Sequence, residues 1–594
     1  MYNKLLDLVD SGKEERQLKQ YINYIKPYKW YFILGPLFMI GEVIGDVLLP
    51  YLTSMIINVG AANRDIGYMV KMGLVMAALS VFMMLTGLGG AYFAVKGSAS
   101  VGADIRRDVF NQIQKFSFSN IDTFSTGSLI TRLTNDITQV QNLIMMMMRM
   151  MMRSPGMLIG AVVMAFTMNA KLALCLVVII PFLATAVGLI IYYAFPRFDK
   201  MQRKLDALNN RIQEALTNVR VIKSFVREDY EENKFKEANG NLKDASVHAM
   251  KLMICQQPAI TIAMNAATIC IVWFGGKQII IGDMPVGNLT AFITYITQIL
   301  MALNMLAMGL LQSSRAIASG KRISEVLSAE IDITDDEAQE KEKTVTQGKV
   351  EFKNVSFRYY KDHEEKVLDN LNFTIEPGQT VGIIGSTGSG KSTLVQMIPR
   401  LYDPDEGEIL VDGTNVKDYT LRHLRDGVAM VLQKNVLFSG TIMENMEWGD
   451  EEATIEQIIE ASKAAQADSF VQSFPGKYET ELGQGGVNVS GGQKQRLCIA
   501  RALLKKPKIL ILDDSTSAVD TATESKIRES FYTSLKETTK IIIAQRITSV
   551  MEADQIIVLD EGKIVGLGKH AALLENCKAY GEIYYSQKDK EETV

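Results

Sequence analysis

The chain has 594 residues, too many for one ordinary domain, and its two parts differ sharply in charge. Charged residues are sparse between residues 30 and 320 apart from two blocks, whereas the sequence after residue 330 has the composition of a soluble domain. The formal net charge of -4 argues against a nucleic-acid-binding protein, which would carry a basic patch.

The N-terminal residues predict a surface helix rather than a cleaved leader. Residues 1–17 are charged where the apolar core of a secretory signal would lie. Four residues with apolar bodies then recur at helical spacing among lysines and arginines, namely Leu18, Tyr21, Ile22 and Ile25. This pattern predicts an amphipathic helix on the membrane surface, so we expect a tail and interfacial helix over residues 1–30.

Six apolar stretches each approach the roughly 20 residues that span a bilayer. Without the backward extension given below, five of them carry no charge, and the first contains only Glu42 and Asp46. The stretches are 31–57, 72–95, 154–170 (extended backward through 143–152), 172–196, 252–276 and 284–314. The sequence therefore predicts a helical membrane domain with six transmembrane helices over residues 31–326.

The loops between these stretches alternate in length and charge. Two long loops, 96–153 and 197–251, are rich in arginine and lysine, whereas the intervening ones are short. The positive-inside rule places the long loops, both termini and the C-terminal domain in the cytoplasm. At about 1.5 Å per residue, each long loop could extend two helices by roughly 35–40 Å beyond the membrane.

Several polar residues lie within the apolar stretches. Glu42 and Asp46 share one helix face, which indicates either a cation or proton site or, as we expect, carboxylates facing a wet cavity or polar neighbours. The run Met145–Met152 suits either a pliable binding surface or filler between helices and lipid. Arg149 and Arg153 are expected near phosphate headgroups. Five amides either line a cavity or tie helices together: Gln256, Gln257, Asn265, Gln298 and Asn304.

The five cysteines are widely spaced, which predicts free thiols rather than disulfides or a metal site. They are Cys175, Cys255, Cys270, Cys498 and Cys577. After the membrane domain, the acidic segment within residues 327–348 lacks a long apolar run and is predicted to be a linker.

A phosphate-binding loop opens the C-terminal domain, which we place at residues 349–594. The apolar run Val381–Ile384 predicts a strand, and a stretch fitting G-x-x-x-x-G-K-[ST] follows it. Its residues are Gly385, Ser386, Thr387, Gly388, Ser389, Gly390, Lys391, Ser392 and Thr393. Backbone N–H groups of such a loop cradle phosphate oxygens, Lys391 would reach the β- and γ-phosphates, and Ser392 would bind Mg²⁺.

Two further motifs follow in a fixed order. Val489 precedes Ser490, Gly491, Gly492 and Gln493, and the apolar strand Ile509–Leu512 ends at Asp513 and Asp514. This order resembles the ATP-binding cassette of ABC transporters, and the preceding spans extend the resemblance to ABC exporters over the whole chain. The resemblance implies a membrane α-helical domain of six transmembrane helices fused to a cytoplasmic α/β P-loop ATPase domain.

The resemblance implies roles for other cassette residues. Tyr359, or its neighbour Tyr360, would stack on adenine, and Gln433 would meet Mg²⁺ from the Q-loop. Asp513 would hold Mg²⁺ through water. The stretch Ser517–Asp520, ending at Asp520, resembles the D-loop that crosses to the partner cassette.

The two long loops resemble the intracellular loops of ABC exporters. Residues 124–136 resemble the first of these loops, and Asn218–Phe225 with Glu228 resemble the second. By this resemblance, short coupling helices are expected near Ser117–Thr123 and Arg227–Glu232.

Two positions depart from the family pattern. Asp514 stands where the family has a glutamate that orients the attacking water, and the missing methylene withdraws the carboxylate. A misplacement of about 1 Å can cost on the order of 10²-fold in rate. Gln545 stands where the family has a histidine that contacts the γ-phosphate, and an amide cannot carry a proton or positive charge. Together they predict a site that binds ATP and hydrolyses it poorly.

These departures predict a heterodimer, because ABC cassettes pair head to tail. Ser490, Gly492 and Gln493 would complete the ATP site of a partner half-transporter that hydrolyses ATP. The chain then resembles one half of the bacterial heterodimeric multidrug exporters, the half whose own ATP site is degenerate, meaning hydrolytically impaired. This resemblance implies a protein of the cell membrane that contacts lipid and uses ATP and Mg²⁺. It also implies the export of small amphipathic molecules. A slow homodimer in which Asp514 still works, a lipid or peptide exporter, and a non-transporting ATP-sensing regulator stay open.

Overall fold

The computed structural model describes residues 21–336, 338–359, 365–515 and 519–591. These residues form two compact units. The first comprises the described residues up to Gln114 together with Thr126–Ala329, and the second comprises Lys115–Ser125 and the described residues from Glu330 onward. Leu18 of the expected surface helix lies outside the described residues.

Long helices make up the first unit. The α-helices that precede the linker are α1 Lys29–Met55, α2 Ile66–Gln114, α3 Phe118–Thr123, α4 Thr126–Thr131, α5 Ile137–Met168, α6 Ala170–Thr217, α7 Val219–Ser224, α8 Glu228–Ile281 and α9 Val286–Leu327. A π-helical turn, Ile56–Ala61, extends α1, and a second one, Arg132–Asp136, joins α4 to α5.

Five stretches of the described helices are long and apolar enough to cross a membrane. They are Tyr21–Ala61, Ile66–Gln114, Thr126–Met168, Met264–Ile281 and Val286–Leu306. These stretches agree with five of the predicted spans. The remaining one, 172–196, lies within α6, where many side chains fall outside the described set, so it stays a prediction.

An ion cluster joins α1 to α5. Two guanidinium nitrogens of Arg153 lie 3.1 Å from Glu42 Oε1 and 2.8 Å from Asp46 Oδ2. The expectation that Arg153 contacts lipid headgroups was therefore wrong, because two carboxylates among apolar helices require the nearest cation. Glu42 and Asp46 share one face of α1 and meet a polar neighbour, as expected. Arg149 is exposed.

Hydrogen bonds also tie α9 to α1. The Gln298 side chain donates to the Asp46 carbonyl oxygen at 2.8 Å, and the buried Tyr295 hydroxyl donates to the Val47 carbonyl oxygen at 3.0 Å. Of the two roles expected for the intramembrane amides, Gln298 therefore has that of tying helices together. The side chains of Gln256 and Gln257 lie outside the described residues.

The methionine run packs between helices at its centre. Met148 is buried, and its Cε atom lies where a side chain on Gly35 would otherwise sit. Met147 and Met152 are about half exposed. This arrangement supports the expectation that the run acts as pliable filler.

A short helix, α3, forms where the first coupling helix was predicted, and its coupling role stays a prediction. Ser117 caps α3 in a reciprocal capping box with Asn120, which fixes the start of this short helix. Asp122 accepts a hydrogen bond from the Tyr402 hydroxyl at 2.7 Å, and the Phe118 ring packs edge-on against the same tyrosine. Lys115–Ser125 therefore belongs to the second unit.

The second coupling helix was predicted at the wrong position. The short helix is α7, and residues 228–232 instead form the first turns of α8. Acidic residues at 228, 229 and 231 favour a helix N-terminus because they complement the helix dipole. The bend between the two helices exposes Phe225 and Val226, and Val226 takes a left-handed conformation with φ of +49°.

The second unit combines sheets with helices. Its strands are β1 Val350–Phe357, β2 Leu368–Ile375, β3 Thr380–Gly385, β4 Glu406–Val411, β5 Thr414–Asn415, β6 Val428–Val431, β7 Gly440–Thr441, β8 Glu481–Leu482, β9 Ile509–Asp513, β10 Thr539–Ile543, β11 Gln555–Asp560 and β12 Lys563–Gly568. Its helices after the linker are α10 Lys391–Gln396, α11 Leu421–Gly427, α12 Ile442–Glu447, α13 Ile455–Ala464, α14 Asp468–Ser473, α15 Gly491–Leu504, α16 Thr521–Ser534, α17 His570–Asn576 and α18 Lys578–Glu591.

The larger sheet sets the position of the candidate site. Its strand order is β12-β11-β3-β10-β9-β6, and only β12 runs antiparallel to its neighbour. Residues on β3, β9 and β10 are almost all buried, as expected for parallel strands covered on both faces. The carboxyl ends of β3, β6, β9 and β10 meet at one edge, which is where open α/β sheets bind ligands.

A smaller antiparallel sheet and a helical lobe complete the unit. The order β2-β1-β4-β5 forms the smaller sheet, and its Phe352 shares a buried core with Ile383 of β3. A separate core, including Ile458 and Leu497, holds α13 and α15 together. Of the cysteines, Cys270, Cys498 and Cys577 are free, as predicted, and the side chains of the other two lie outside the described residues.

Candidate nucleotide site

The predicted phosphate loop connects β3 to α10. Gly388 and Gly390 have φ of +85° and +93°, a region that residues with a Cβ atom rarely adopt. A Cβ added to Gly390 would lie 2.9 Å from the Val367 carbonyl oxygen, so no larger residue fits there without strain. Because these glycines carry no side chain, the backbone of the loop can lie directly against the cavity that it borders.

The loop opens onto a cavity of about 800 Å³. The structure brings most of the predicted site residues to its wall: Tyr359, Gly385, Ser386, Thr387, Gly388, Gly390, Lys391, Ser392, Thr393, Gln433, Asp513, Asp514 and Gln545. Ser389 is buried beneath the loop and contacts Lys391. Residues at the ends of five strands, β1, β3, β6, β9 and β10, therefore converge on one space.

Lys391 supplies the positive charge of this wall. Its Nζ donates to the carbonyl oxygens of Gly385 and Ser386 at 3.0 and 2.7 Å. Burial lowers the pKa of Lys391, and the nearby carboxylates of Asp513 and Asp514 oppose that shift. An ammonium group in this place is suited to neutralise phosphate oxygens.

Ser392 and Asp513 form an oxygen pair suited to Mg²⁺. Ser392 Oγ donates to Asp513 Oδ1 at 3.0 Å. Burial raises the pKa of Asp513, and the Ser392 hydrogen bond acts in the opposite direction. Mg²⁺ is commonly held by one or two protein oxygens together with substrate phosphates and waters. The residues present therefore fit the predicted ion, and Gln433 borders the same cavity.

The two departures from the family pattern contact each other. Gln545 Nε2 donates to Asp514 Oδ2 at 2.6 Å, which joins the end of β10 to the end of β9. Asp514 is buried and has φ of +47°, a strained conformation of the kind found at functional sites. An amide can orient this carboxylate through a hydrogen bond, but it cannot exchange a proton with it.

Tyr359 forms one side of the cavity. Its hydroxyl lies 2.8 Å from Thr393 Oγ1, and its ring packs edge-on against Phe357 and Tyr402. About two-fifths of Tyr359 is exposed, so part of the residue remains available to a ligand. The alternative, Tyr360, lies outside the described residues, so adenine stacking stays a prediction.

The signature residues lie outside the lining of this cavity. Ser490 caps α15 and forms a capping box with Gln493, whose side chain accepts from the Ser490 backbone N–H at 2.9 Å. Ser490 and Gly491 are exposed. Val489 is buried in the core of the helical lobe, where an apolar residue is required but leucine is not. The chain therefore presents its signature at a surface separate from its own phosphate loop.

Of the four residues that resemble the D-loop, the structure describes the last two. Asp520 caps α16, and its Oδ1 accepts from the Thr523 backbone N–H at 3.0 Å. This hydrogen bond lowers the pKa of Asp520. Ser517 and Ala518 lie outside the described residues, so the crossing to a partner stays a prediction.

Sequence reasoning missed one wall of the cavity. The C-terminal helix α18 contributes five residues to the lining: Ala579, Glu582, Ile583, Ser586 and Gln587. No motif marks this helix, and its sequence is mostly polar. The only signal in the sequence was the apolar face that buries Tyr580 beside β11 and α17.

Two protein-family models match the chain. The model of the ABC transporter transmembrane region matches residues 32–303, within the helical unit. The model described as ABC transporter matches residues 368–517, which include the phosphate loop, the signature and the end of β9. The two matches are consecutive in the sequence.

Bacterial proteins are similar over nearly the whole chain. An uncharacterized ABC transporter ATP-binding protein of Bacillus subtilis, YfiB, is 40% identical over 577 residues, which is 97% of this chain and 99% of the relative. An uncharacterized ABC transporter ATP-binding protein of Mycobacterium tuberculosis is 37% identical, covering 95% and 97%. A putative multidrug export ATP-binding/permease protein of B. subtilis, YgaD, is 34% identical, covering 96% and 99%.

Proposed function

The chain belongs to the ABC transporter family, with a transmembrane region and an ATP-binding domain fused in one polypeptide, and from this premise we propose that it is the hydrolytically impaired half of a heterodimeric exporter. The family makes it a multi-pass membrane transporter whose cassette couples ATP to transport. The proposal concerns how ATP is used, which partner is needed and what is exported.

The contact between Asp514 and Gln545 carries this proposal. Asp514 replaces the family's glutamate that orients the attacking water, and Gln545 replaces its histidine, so that Gln545 would face the γ-phosphate of ATP. The two side chains meet through one hydrogen bond of 2.6 Å. The groups suited to holding ATP and Mg²⁺, by contrast, are all kept along the cavity. This combination supports a site that retains ATP and turns it over slowly.

Each residue then has a separate task. Lys391 neutralises phosphate charge, Ser392 and Asp513 hold Mg²⁺, and Tyr359 stacks on the adenine. Bound ATP supplies the binding energy that joins two cassettes and shifts the membrane domain toward its outward-facing state. Ser490 completes the partner's site, where hydrolysis resets the cycle.

The assignments of cargo and location rest on the name of one relative and on the surface of α2. One relative is named a putative multidrug export protein, and the exposed apolar surface of α2, with Leu74 and Leu88, suits lipid. We therefore assign the chain to the bacterial cell membrane and to the export of small amphipathic molecules.

ATP turnover tests the proposal. The chain is purified in lipid nanodiscs, alone and with the half-transporter that co-purifies from its native membrane. The chain alone should bind ATP and hydrolyse little, whereas the complex should be active. In the chain alone, Asp514→Glu with Gln545→His should raise turnover by about 10- to 100-fold, because the carboxylate regains its reach.

Adding Lys391→Met to the double variant serves as the control and should abolish the gain. Brisk hydrolysis by the unmodified chain alone would show a working Asp514 and a homodimer. An inactive complex that moves no amphipathic dye would favour the ATP-sensing regulator instead.

A further inference from the structure

The C-terminal helix α18 is anchored beside the loop that carries Gln545. Tyr580 is fully buried and its hydroxyl lies 2.7 Å from His570 Nδ1. The apolar cluster around Tyr580 includes Ala544 and Ile547, the residues on either side of the Gln545–Arg546 segment. Helix α18 and this loop therefore share one core.

Gln587 bridges the loop with both ends of its side-chain amide. Its Nε2 donates to the Gln545 carbonyl oxygen at 2.8 Å, and its Oε1 accepts from the Ile547 backbone N–H at 2.9 Å. A carbonyl can only accept and an N–H can only donate, so these partners fix the orientation of the amide. One side chain thus holds the backbone on both sides of Arg546.

Two other side chains among the described residues hold the later part of this loop. Arg528 donates to the Thr548 carbonyl oxygen, and Ser549 Oγ donates to Glu524 at 2.6 Å. Gln587 acts on residue 545 itself, where the backbone sets the direction of the side chain that reaches Asp514. A small shift there would lengthen the 2.6 Å contact between Gln545 and Asp514.

We propose that Gln587 is a positioning residue of the nucleotide site, through which α18 sets the preference of the site for ATP over ADP. The inference rests on the proposed function, in which Gln545 faces the γ-phosphate of ATP. ADP lacks that phosphate, so a misplaced Gln545 weakens ATP binding and leaves ADP binding almost unchanged. A general disturbance of the cassette would weaken the binding of both nucleotides.

The experiment measures the binding of mant-ATP and mant-ADP, each with Mg²⁺, to the full-length chain in lipid nanodiscs. Gln587→Met keeps the side-chain length and removes both hydrogen bonds. It should weaken mant-ATP binding about 10- to 100-fold, the loss expected for one hydrogen bond to a charged group, and change mant-ADP binding less than about twofold. Gln587→Glu, which can still accept from Ile547, should give an intermediate loss of mant-ATP binding.

Lys588→Met is the matched control, because it places the same residue on the same helix at an exposed position. It should leave the affinities for both nucleotides unchanged, and its thermal unfolding should match that of Gln587→Met within a few degrees. Gln545→Ala should reproduce the selective loss of mant-ATP binding. Adding Gln587→Met to it should then cost nothing more.

The outcomes distinguish a failure of this inference from a failure of the proposed function. A lower ATP-to-ADP preference in Gln545→Ala but not in Gln587→Met overturns this inference and leaves the proposed function intact. Equal losses for both nucleotides in Gln587→Met also overturn it, because they indicate a purely structural role. If neither Gln545→Ala nor Gln587→Met changes the preference for ATP over ADP, Gln545 does not contact the γ-phosphate. The proposed function then loses that support as well.

Discussion

Arg153 shares a single positive charge between two carboxylates. Its guanidinium contacts Glu42 and Asp46 of α1 from α5, 107 residues away from Asp46 in the sequence. Charges taken out of water are stabilised only when they are paired and hydrogen-bonded. Removing the cation leaves two acids facing each other, whereas removing all three charges leaves none unpaired.

We therefore expect Arg153→Met to lower the free energy of unfolding by about 1–3 kcal/mol, less than for a fully buried pair because the arginine is partly exposed. Thermal unfolding in nanodiscs measures the change, with Arg149→Met at an exposed position of the same helix as control. Adding Glu42→Gln and Asp46→Asn should restore most of the stability. A triple variant as unstable as the single one would contradict the argument.

Residues that act within one short segment were predictable from the sequence, and residues paired across the fold were not. The phosphate loop follows from nine consecutive positions, so Lys391 and Ser392 were placed correctly on the cavity wall. The partners of Arg153 depend on how α1 packs against α5. Its ion pairs therefore could not be read from spacing, and the headgroup expectation failed.

Asp412 holds the end of the linker where it becomes β1. Its two carboxylate oxygens accept from four consecutive backbone N–H groups, those of Thr346, Gln347, Gly348 and Lys349. Burial by itself raises the pKa of Asp412, but these hydrogen bonds outweigh it and the pKa is lowered. One side chain thus replaces the partners that a strand would otherwise supply to the linker.

Because the pKa of Asp412 is lower in the folded state, its stabilisation is present above the ordinary aspartate pKa and is lost as the pH falls through the lowered one. Asp412→Asn should cost about 1–3 kcal/mol near neutral pH, since an amide has only one accepting oxygen. Thermal unfolding from pH 7 to pH 3 should show the difference from wild type shrinking with acid. Asp426→Asn, at an exposed helix position, should show no such trend.

The helices and strands divide in the same way, into those that a short stretch of sequence predicts and those that depend on packing across the fold. β3 precedes the phosphate-loop motif and was predicted from its apolar run, and a helix at α3 was expected from the resemblance of its loop to those of ABC exporters. The second short helix was misplaced because the chain bends at Phe225 and Val226 with no glycine or proline to mark the turn. Helix α18 reaches the cavity through its packing on β11 and α17, which no sequence motif marks.

Within one chain, the signature and the phosphate loop serve different sites. Ser490 is exposed at the start of α15, and the cavity that holds Lys391 and Ser392 has no signature residue in its lining. If cassettes pair head to tail, each chain completes the other's ATP site. In a heterodimer with one competent site, the signature of this chain should then matter more for ATP turnover than its phosphate loop does.

Ser490→Ala in this chain should lower the ATP turnover of the assembled transporter by about 10²-fold, the usual loss for one transition-state hydrogen-bond donor. Thr454→Ala is the matched control, because Thr454 caps α13 in the same kind of capping box and is equally exposed. Each variant loses a helix cap worth about 1 kcal/mol, so their stabilities should match while only the signature variant loses activity.

Lys391→Met completes the comparison, since it disables this chain's own nucleotide site and leaves its signature intact. In the proposed heterodimer it should reduce turnover much less than Ser490→Ala, because hydrolysis takes place at the partner's phosphate loop. In a homodimer both variants would damage every site, and both losses would be large. The ratio of the two turnover rates therefore separates the two assemblies, whichever molecule the transporter exports.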